Sequence, residues 1–251
     1  GEKLCDALEG MGTTFIKLGQ FLATRPDIIG EALADDLAKL QDKLPPFELH
    51  ESKKILKKEI GENLYKNIID LSEPIAAASI AQVHIAKINI DNKINEVAIK
   101  ILRPDIEKQF NEELDALMLF AYIVESTFRK TKRLKLVEVV HLLRKITNIE
   151  MDLRFEAAAA NELYENTKND QGFNVPKIYW NYTSKKILTL DKVDGISIRE
   201  QKLLEESGVN LKNLAENLIQ HFLKQTVRDG FFHGDMHQGN LFVDKKGNII
   251  P

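Results

Sequence analysis

The sequence is short of several things, and each shortage closes off a class of answer. Cysteine occurs once, at Cys5, so no internal disulfide can form and the chain reads as one made for a reducing compartment, with the cytosol as the default. No apolar run approaches the ~20 residues that a helix needs to cross a bilayer, and the longest, Leu117 to Val124, stops far short of it. Glu2, Lys3, Asp6 and Glu9 interrupt any signal-peptide core at the start. Charge of one sign is missing too. Thirty-five Lys and Arg against 38 Asp and Glu leave a net −3, which gives no footing on nucleic acid. Finally, no Gly-x-Gly-x-x-Gly occurs anywhere, so an ordinary glycine-rich phosphate loop is excluded.

What is present is an ordinary globular composition: 251 residues, 43% apolar and 29% charged, enough for a two-lobed core or one large domain. The first fifty residues are helical in pattern. Thr13 to Gln20 form a short amphipathic piece that Pro26 separates from the next helix, and Leu33, Leu37, Leu40 and Leu44 make one apolar stripe that Pro45-Pro46 stops. A further helix, Glu48 to Ile60, ends at Gly61. Ile80 to Ile90 and Glu96 to Leu102 then carry β-branched residues around Asp91-Asn92-Lys93 and read as a hairpin. Pro104 opens a long helix to about Phe128, and another is expected from about Leu136 to Tyr164. After Val175-Pro176 come two strand-like runs, Lys177 to Asn181 and Lys185 to Val193, and then a helix from about Leu211 to Arg228. The order makes an α+β chain with a lobe boundary near Asp191 to Gly195. An apolar strand pattern begins at Asn248-Ile249-Ile250-Pro251 with no evident partner, so the chain is expected to be a fragment.

The sharpest chemical signal is Phe231-Phe232-His233-Gly234-Asp235-Met236-His237-Gln238-Gly239-Asn240-Leu241-Phe242-Val243. Kinase-like catalytic loops place an Asp five residues before an Asn. The Asp then orients or deprotonates the attacking hydroxyl and the Asn holds Mg²⁺ on the phosphates, and Asp235 and Asn240 have that spacing. Two other readings stay open: a polar turn between helix and strand, or a metal site built from His233, Asp235 and His237. The second signal is Lys100, a lysine inside the apolar strand Val97-Ala98-Ile99-Lys100-Ile101-Leu102. It either snorkels from an edge or is held for something anionic, as is the kinase lysine on the α- and β-phosphates. Ile149, Leu153, Glu156, Ala160 and Leu163 recur at helical spacing, which predicts a core-facing Glu156 as its ion-pair partner. On the hairpin before Lys100, where a phosphate loop is needed, stand Ala76, Ala77, Ala78 and Ser79, a stiffer loop than glycines would make.

Together with Lys17-Leu18-Gly19-Gln20, these pieces closely resemble the UbiB family of atypical kinases, whose eukaryotic members are the ADCK proteins. The resemblance spans nearly the whole chain. Lys17 and Gln20 match the family's Lys-x-Gly-Gln motif, Glu150 and Asp152 its Glu-x-Asp motif, Glu156 its ion-pair glutamate, and Ala76 to Ala78 its alanine-rich loop. It implies an atypical protein-kinase-like two-lobed fold: a helical extension over 1–47, an N-lobe over 48–193 and a partial C-lobe over 194–251. It further implies ATP or ADP with Mg²⁺, bound by Ala76 to Ser79, Lys100, Asp191, Val193 and Asn240, with Asp235, Lys100 and Glu156 as the catalytic set. Activity as an ATPase supporting ubiquinone biosynthesis is implied as well, with biosynthetic enzymes and a lipid membrane surface as partners, at the bacterial inner membrane in the full-length protein. Gln238 stands where the family usually has proline, which loosens the loop but removes no ligand. The chain ends before an Asp-Phe-Gly, a principal Mg²⁺ site in kinases, so as given it is expected to bind Mg-nucleotide poorly and turn over little. Two other functions use the same residues: a nucleotide-sensing scaffold for biosynthetic enzymes, and a small-molecule phosphotransferase with the same His-Gly-Asp loop.

Overall fold

The computed structural model describes residues 2–40, 44–234 and 236–251. It begins with four short helices whose breaks fall at glycine and proline. Helix α1 (Glu2–Met11) and α2 (Thr13–Ala23) are separated by Gly12 at φ 107°, and α3 (Pro26–Ile29) and α4 (Glu31–Leu37) by Gly30 at φ 87°. Pro26 opens α3 at a first-turn position, where its missing N–H costs nothing. The leucine stripe is half as long a helix as expected: α4 stops at Leu37, and Leu40 reaches the same core from the turn beyond it. Leu8, Leu37 and Leu40 form that core, with Phe15, Leu22 and Leu33 packed around it.

Helix α5 (Leu49–Tyr65) is broken inside by Gly61 at φ 81°, ψ 160°, so the expected stop at that glycine is a kink with one more turn after it. Strands β1 (Ile68–Ala77), β2 (Ala81–Ile90), β3 (Lys93–Leu102) and β4 (Ile187–Asp191) make one sheet in the order β1-β2-β3-β4. The hairpin between β2 and β3 turns on Asp91 and Asn92, both at positive φ (49° and 60°), as a two-residue type I′ turn requires. Asp and Asn tolerate that region better than other residues, which is why the polar dipeptide was readable as the turn.

Helix α6 (Ile106–Thr127) buries Ile106, Phe110, Leu114 and Ala121 and packs on α7 (Leu136–Glu150), which buries Val139, Val140, Leu143 and Thr147. The single helix expected over 136–164 is two. Met151 and Asp152 leave the helical path, and α8 (Leu153–Thr167) starts afresh with its first N–H bonded to the Lys185 carbonyl at 2.9 Å. The first of the two strand-like runs after Pro176 contributes only a bridge, Ile178 to Leu190, before a 3-10 turn over Trp180–Tyr182, while the second becomes β4.

Helices α9 (Gln201–Glu206) and α10 (Leu211–Leu223) pack with a small sheet, β5 (Ile196–Ser197), β6 (Phe242–Val243) and β7 (Ile249–Ile250), around Leu163, Phe173, Val175, Leu204, Leu214, Leu241, Val243 and Ile249. The final strand therefore does have a partner, contrary to expectation: Phe242 and Val243 face Ile250 and Ile249, and Phe173 bridges to Ile249. By contacts the chain divides into two units. One comprises 1–56, 74–83 and 101–152, the other 57–73, 84–100 and 153–251, and β1, β2 and β3 each change unit part-way along. No helix among the described residues is long and apolar enough to cross a membrane.

Candidate functional site

In the second unit, strand alternation sets up the charged pair. Val97 and Ile99 on β3 are fully buried, so Glu96, Ala98 and Lys100 share the opposite face. The Lys100 ammonium donates to both oxygens of Glu156, 3.0 Å to Oε1 and 2.7 Å to Oε2. Glu156 lies in the first turn of α8, where a carboxylate suits the positive end of the helix dipole. It does not face the core. Leu153, Ala157, Leu163 and Thr167 are the buried residues of α8, whereas the Glu156 side chain is 49% exposed and that of Lys100 29%. Leu153, Glu156, Ala160 and Leu163 all lie within α8 and only Ile149 precedes the break at Met151-Asp152, so the phase is kept. What the periodicity left out is that Glu156 stands in the first turn of α8, where its side chain remains half exposed. The pair forms all the same, between two half-open groups rather than in a sealed core.

Further along the same face, the Lys192 ammonium reaches Glu96 and Asp194, each at 3.0 Å, and its backbone N–H donates to the Glu96 carbonyl. Asp191 is engaged internally. One carboxylate oxygen accepts the Tyr179 hydroxyl at 2.7 Å, the other the Lys177 N–H at 3.2 Å. Burial, and then that carboxylate, push the Tyr179 phenol up to about 12, so it stays a donor. Val193 comes next but one, half-buried and outside the strand.

The His-Gly-Asp segment comes after a π-type turn, Lys224–Asp229, that ends at Gly230 with φ 64°. Buried Gln225 fixes where the loop leaves it, accepting the His233 N–H on its side chain at 3.2 Å and the Phe231 N–H on its carbonyl. The turn itself is braced by Arg228, which donates two bonds of 2.9 Å to Asp170 and holds both Asp170 and Asp229 below the usual carboxylate range. At the far end Asn240 is exposed and its N–H closes a turn on the His237 carbonyl at 2.9 Å, immediately before β6. A side chain at Gly239 would press on the Arg199 guanidinium and on His237 Nδ1, each 3.3 Å away. Asp235 lies outside the described residues. Among those that are described, no three His, Cys, Asp or Glu side chains gather as a metal site.

The first unit holds the other motifs. Ala76 is exposed and Ala77 and Ala78 half-buried, whereas Ser79 is fully buried; the Ala78 N–H closes the turn on the Ala81 carbonyl at 2.8 Å. None of these residues has a positive φ, so the loop never uses the freedom that glycine would supply. Lys17 pairs with Glu150 at 3.2 Å, with Gln20 half-buried one turn further along α2. Glu150 and Asp152 are not two positions of one helix: Glu150 ends α7 and Asp152 sits in the break. The packing of three residues here was not read from the sequence. Gly19 is buried so closely that a Cβ would collide with Leu40 and touch Leu8. Gln82 and Arg103 tie the alanine-rich turn to residues 44–47. The available signals were a glutamine inside an apolar strand and an arginine directly after one.

Residues 39–251 match the ABC1 atypical kinase-like domain. The chain belongs to this family. Proteins named probable protein kinase UbiB resemble it along its whole length: 40% identity in Marinobacter nauticus, covering 100% of the chain and 46% of the relative, and 38% in Azotobacter vinelandii, covering 96% and 44%. The chain thus spans about half the length of the curated relatives it matches. Among solved structures, that of the Rv3197–erythromycin complex from Mycobacterium tuberculosis matches with a TM-score of 0.65 at 24% identity, covering 93% of this chain and 57% of the other, and establishes the common fold. The UbiB-type resemblance and the atypical kinase-like fold of mixed helix and sheet both hold.

Proposed function

We propose that this chain carries the phosphate-gripping half of a kinase-like ATPase that acts in ubiquinone biosynthesis. The observation behind the reading is the Lys100–Glu156 pair. A lysine on a strand face, aimed by a carboxylate yet left partly open, can exchange some of its contact for an anionic ligand. A lysine kept only for packing needs no such aim. Nucleotide phosphates fit this donor, and the exposed amide of Asn240 fits the oxygen-type ligation that Mg²⁺ takes.

In this reading Lys100 contacts the α- and β-phosphates, and Glu156 fixes the direction of its ammonium. Asp235 accepts or orients the proton of the attacking hydroxyl, and Asn240 supplies an oxygen ligand from the end of the loop. Bound Mg²⁺ would neutralise charge gathering on the transferred phosphoryl group. Gln225 and Arg228 fix the start of the loop. Val193 is assigned to the nucleotide through its backbone, whereas Asp191, whose carboxylate is already occupied, supports that segment. The curated relatives are named probable protein kinase UbiB, which supports a phosphoryl-transferring role; quinone-lipid synthesis, with biosynthetic enzymes and a membrane surface as partners, is part of the proposal. The test is calorimetric titration with ADP, with and without Mg²⁺, on wild type and Lys100→Ala in a chain of the family's full length. Binding that needs Lys100 supports the proposal, and equal affinity for both proteins overturns it.

A further inference from the structure

Arg103 and Gln82 converge on one turn and one strap. Arg103 comes directly after β3, and its backbone N–H donates to the Ile80 carbonyl at 2.9 Å. Its guanidinium reaches the Ala78 carbonyl twice, from Nε at 3.0 Å and from Nη2 at 2.9 Å. The same Nη2 donates to the Pro45 carbonyl at 2.9 Å and lies 3.4 Å from that of Leu44, while the guanidinium carbon stands 5.8 Å from the centre of the Phe47 ring. Gln82, fully buried on β2, completes the arrangement. Its amide pairs with the Phe47 backbone in both directions, accepting the N–H at 2.9 Å and donating to the carbonyl at 3.1 Å, and also donates to buried Ser52 at 3.0 Å.

These bonds have a common character. All but the one to Ser52 end on backbone groups, so they fix the path of the chain rather than the identity of its side chains. They also join two stretches that have no regular secondary structure of their own: the turn after Ala77 and the strap over residues 44–47 that comes after the N-terminal helices. Arg103's planar fork suits this, because one rigid group holds carbonyls of both stretches at once, which a lysine's single ammonium cannot reproduce.

We propose that Arg103 and Gln82 are positioning residues that lock the alanine-rich turn to the 44–47 strap, so that the two segments open and close as one unit. The strap would then set the conformation of the turn, and through it the affinity for nucleotide; that last step alone rests on the proposed ATPase function. Alanines at 76–78 are compatible with such a lock, since a turn held from outside has no use for glycine's freedom.

Two measurements on Arg103→Lys and Gln82→Asn test this against wild type. In amide hydrogen exchange, each variant should speed exchange at 76–81 and at 44–48 together, by at least tenfold, with α6 and α7 unchanged. If only one stretch responds, or if α6 and α7 loosen as much, the lock is refuted and the residues merely stabilise the fold. Calorimetry with Mg-ADP on a chain of the family's full length should show affinity falling by about tenfold in Arg103→Lys, the equivalent of one charge-assisted hydrogen bond's aim. Unchanged affinity with coupled exchange would leave the lock standing and overturn its link to the ligand. If the wild type binds no nucleotide, the proposed function fails while the exchange result still decides the lock.

Discussion

Glu156→Gln separates a pair that presents a cation from a pair that braces the fold. The substitution keeps the shape and one acceptor but removes the negative charge from Lys100. Both partners are partly in water, with side chains 29% and 49% exposed, so screening and side-chain entropy leave such a pair about 0–1 kcal/mol of stability. A domain of this size loses roughly 2–4 °C of melting temperature per kcal/mol, so the variant should melt no more than about 4 °C lower. The ligand side is larger. A charge-assisted hydrogen bond to phosphate is worth about 1.5–3 kcal/mol, or roughly ten- to a hundredfold in affinity, and a misaimed Lys100 should lose of the order of tenfold of it. Thermal melts and Mg-ADP titrations on wild type and Glu156→Gln would be read side by side. A melting temperature lower by about 8 °C or more, well beyond the shift expected of an exposed pair, with affinity unchanged, would make the pair a structural brace and sink the reasoning.

Two further outcomes arise from packing and burial. His84 and His221 are both buried, and burial lowers both below their ordinary value of 6.5. The unfolded chain therefore takes up protons near pH 6.5 that the folded chain refuses, so stability is full above that pH and falls as the solution is acidified below it. The lowered carboxylates Asp170, Asp229 and Asp244 act only nearer their ordinary value of 3.8 and leave this window alone. Urea midpoints should accordingly be lower at about pH 5.5 than at about 7.5, on either side of the ordinary histidine value, and equal midpoints would contradict the assignment. Gly19→Ala gains about 1 kcal/mol of helix propensity but must displace Leu40 and Leu8, an overpacking that costs about 1–3 kcal/mol. It should destabilise the wild type yet stabilise a Leu40→Ala background, and simple additivity in the double mutant would rule the collision out.

Much of this was legible because local chemistry and tertiary packing agreed. Asp91-Asn92-Lys93 announced a hairpin, which the structure turns on Asp91 and Asn92, and the apolar run placed Lys100 on a strand flanked by buried neighbours. Where the reading went wrong, a tertiary contact had overruled a local pattern. Nothing in residues 149 to 163 forbids one continuous helix, and it is the carbonyl of Lys185, far along the chain, that lets α8 begin again at Leu153. The spacing that matched Glu156 to Lys100 holds within α8 from Leu153 onward, and only Ile149 drops out of it. The final strand seemed unpartnered because its partners, Phe173 and the two-residue β6, are too short to carry a periodic signal. Gly19 looked like part of a functional motif, and its close fit against leucines from two other helical segments can be seen only once they are folded together.

The division of the chain has a consequence for how it can be taken apart and put together. Each unit is assembled from three separated stretches, and three of the five exchanges fall inside strands, between Glu73 and Pro74, Val83 and His84, and Lys100 and Ile101. No single truncation can therefore isolate either unit: a chain ending at Asp152 keeps the whole first unit together with 57–73 and 84–100 of the second, and one starting at Lys57 keeps the whole second unit together with 74–83 and 101–152 of the first. During synthesis the first unit has all its residues once Asp152 has emerged, whereas the second, begun at Lys57, also needs the stretch 153–251.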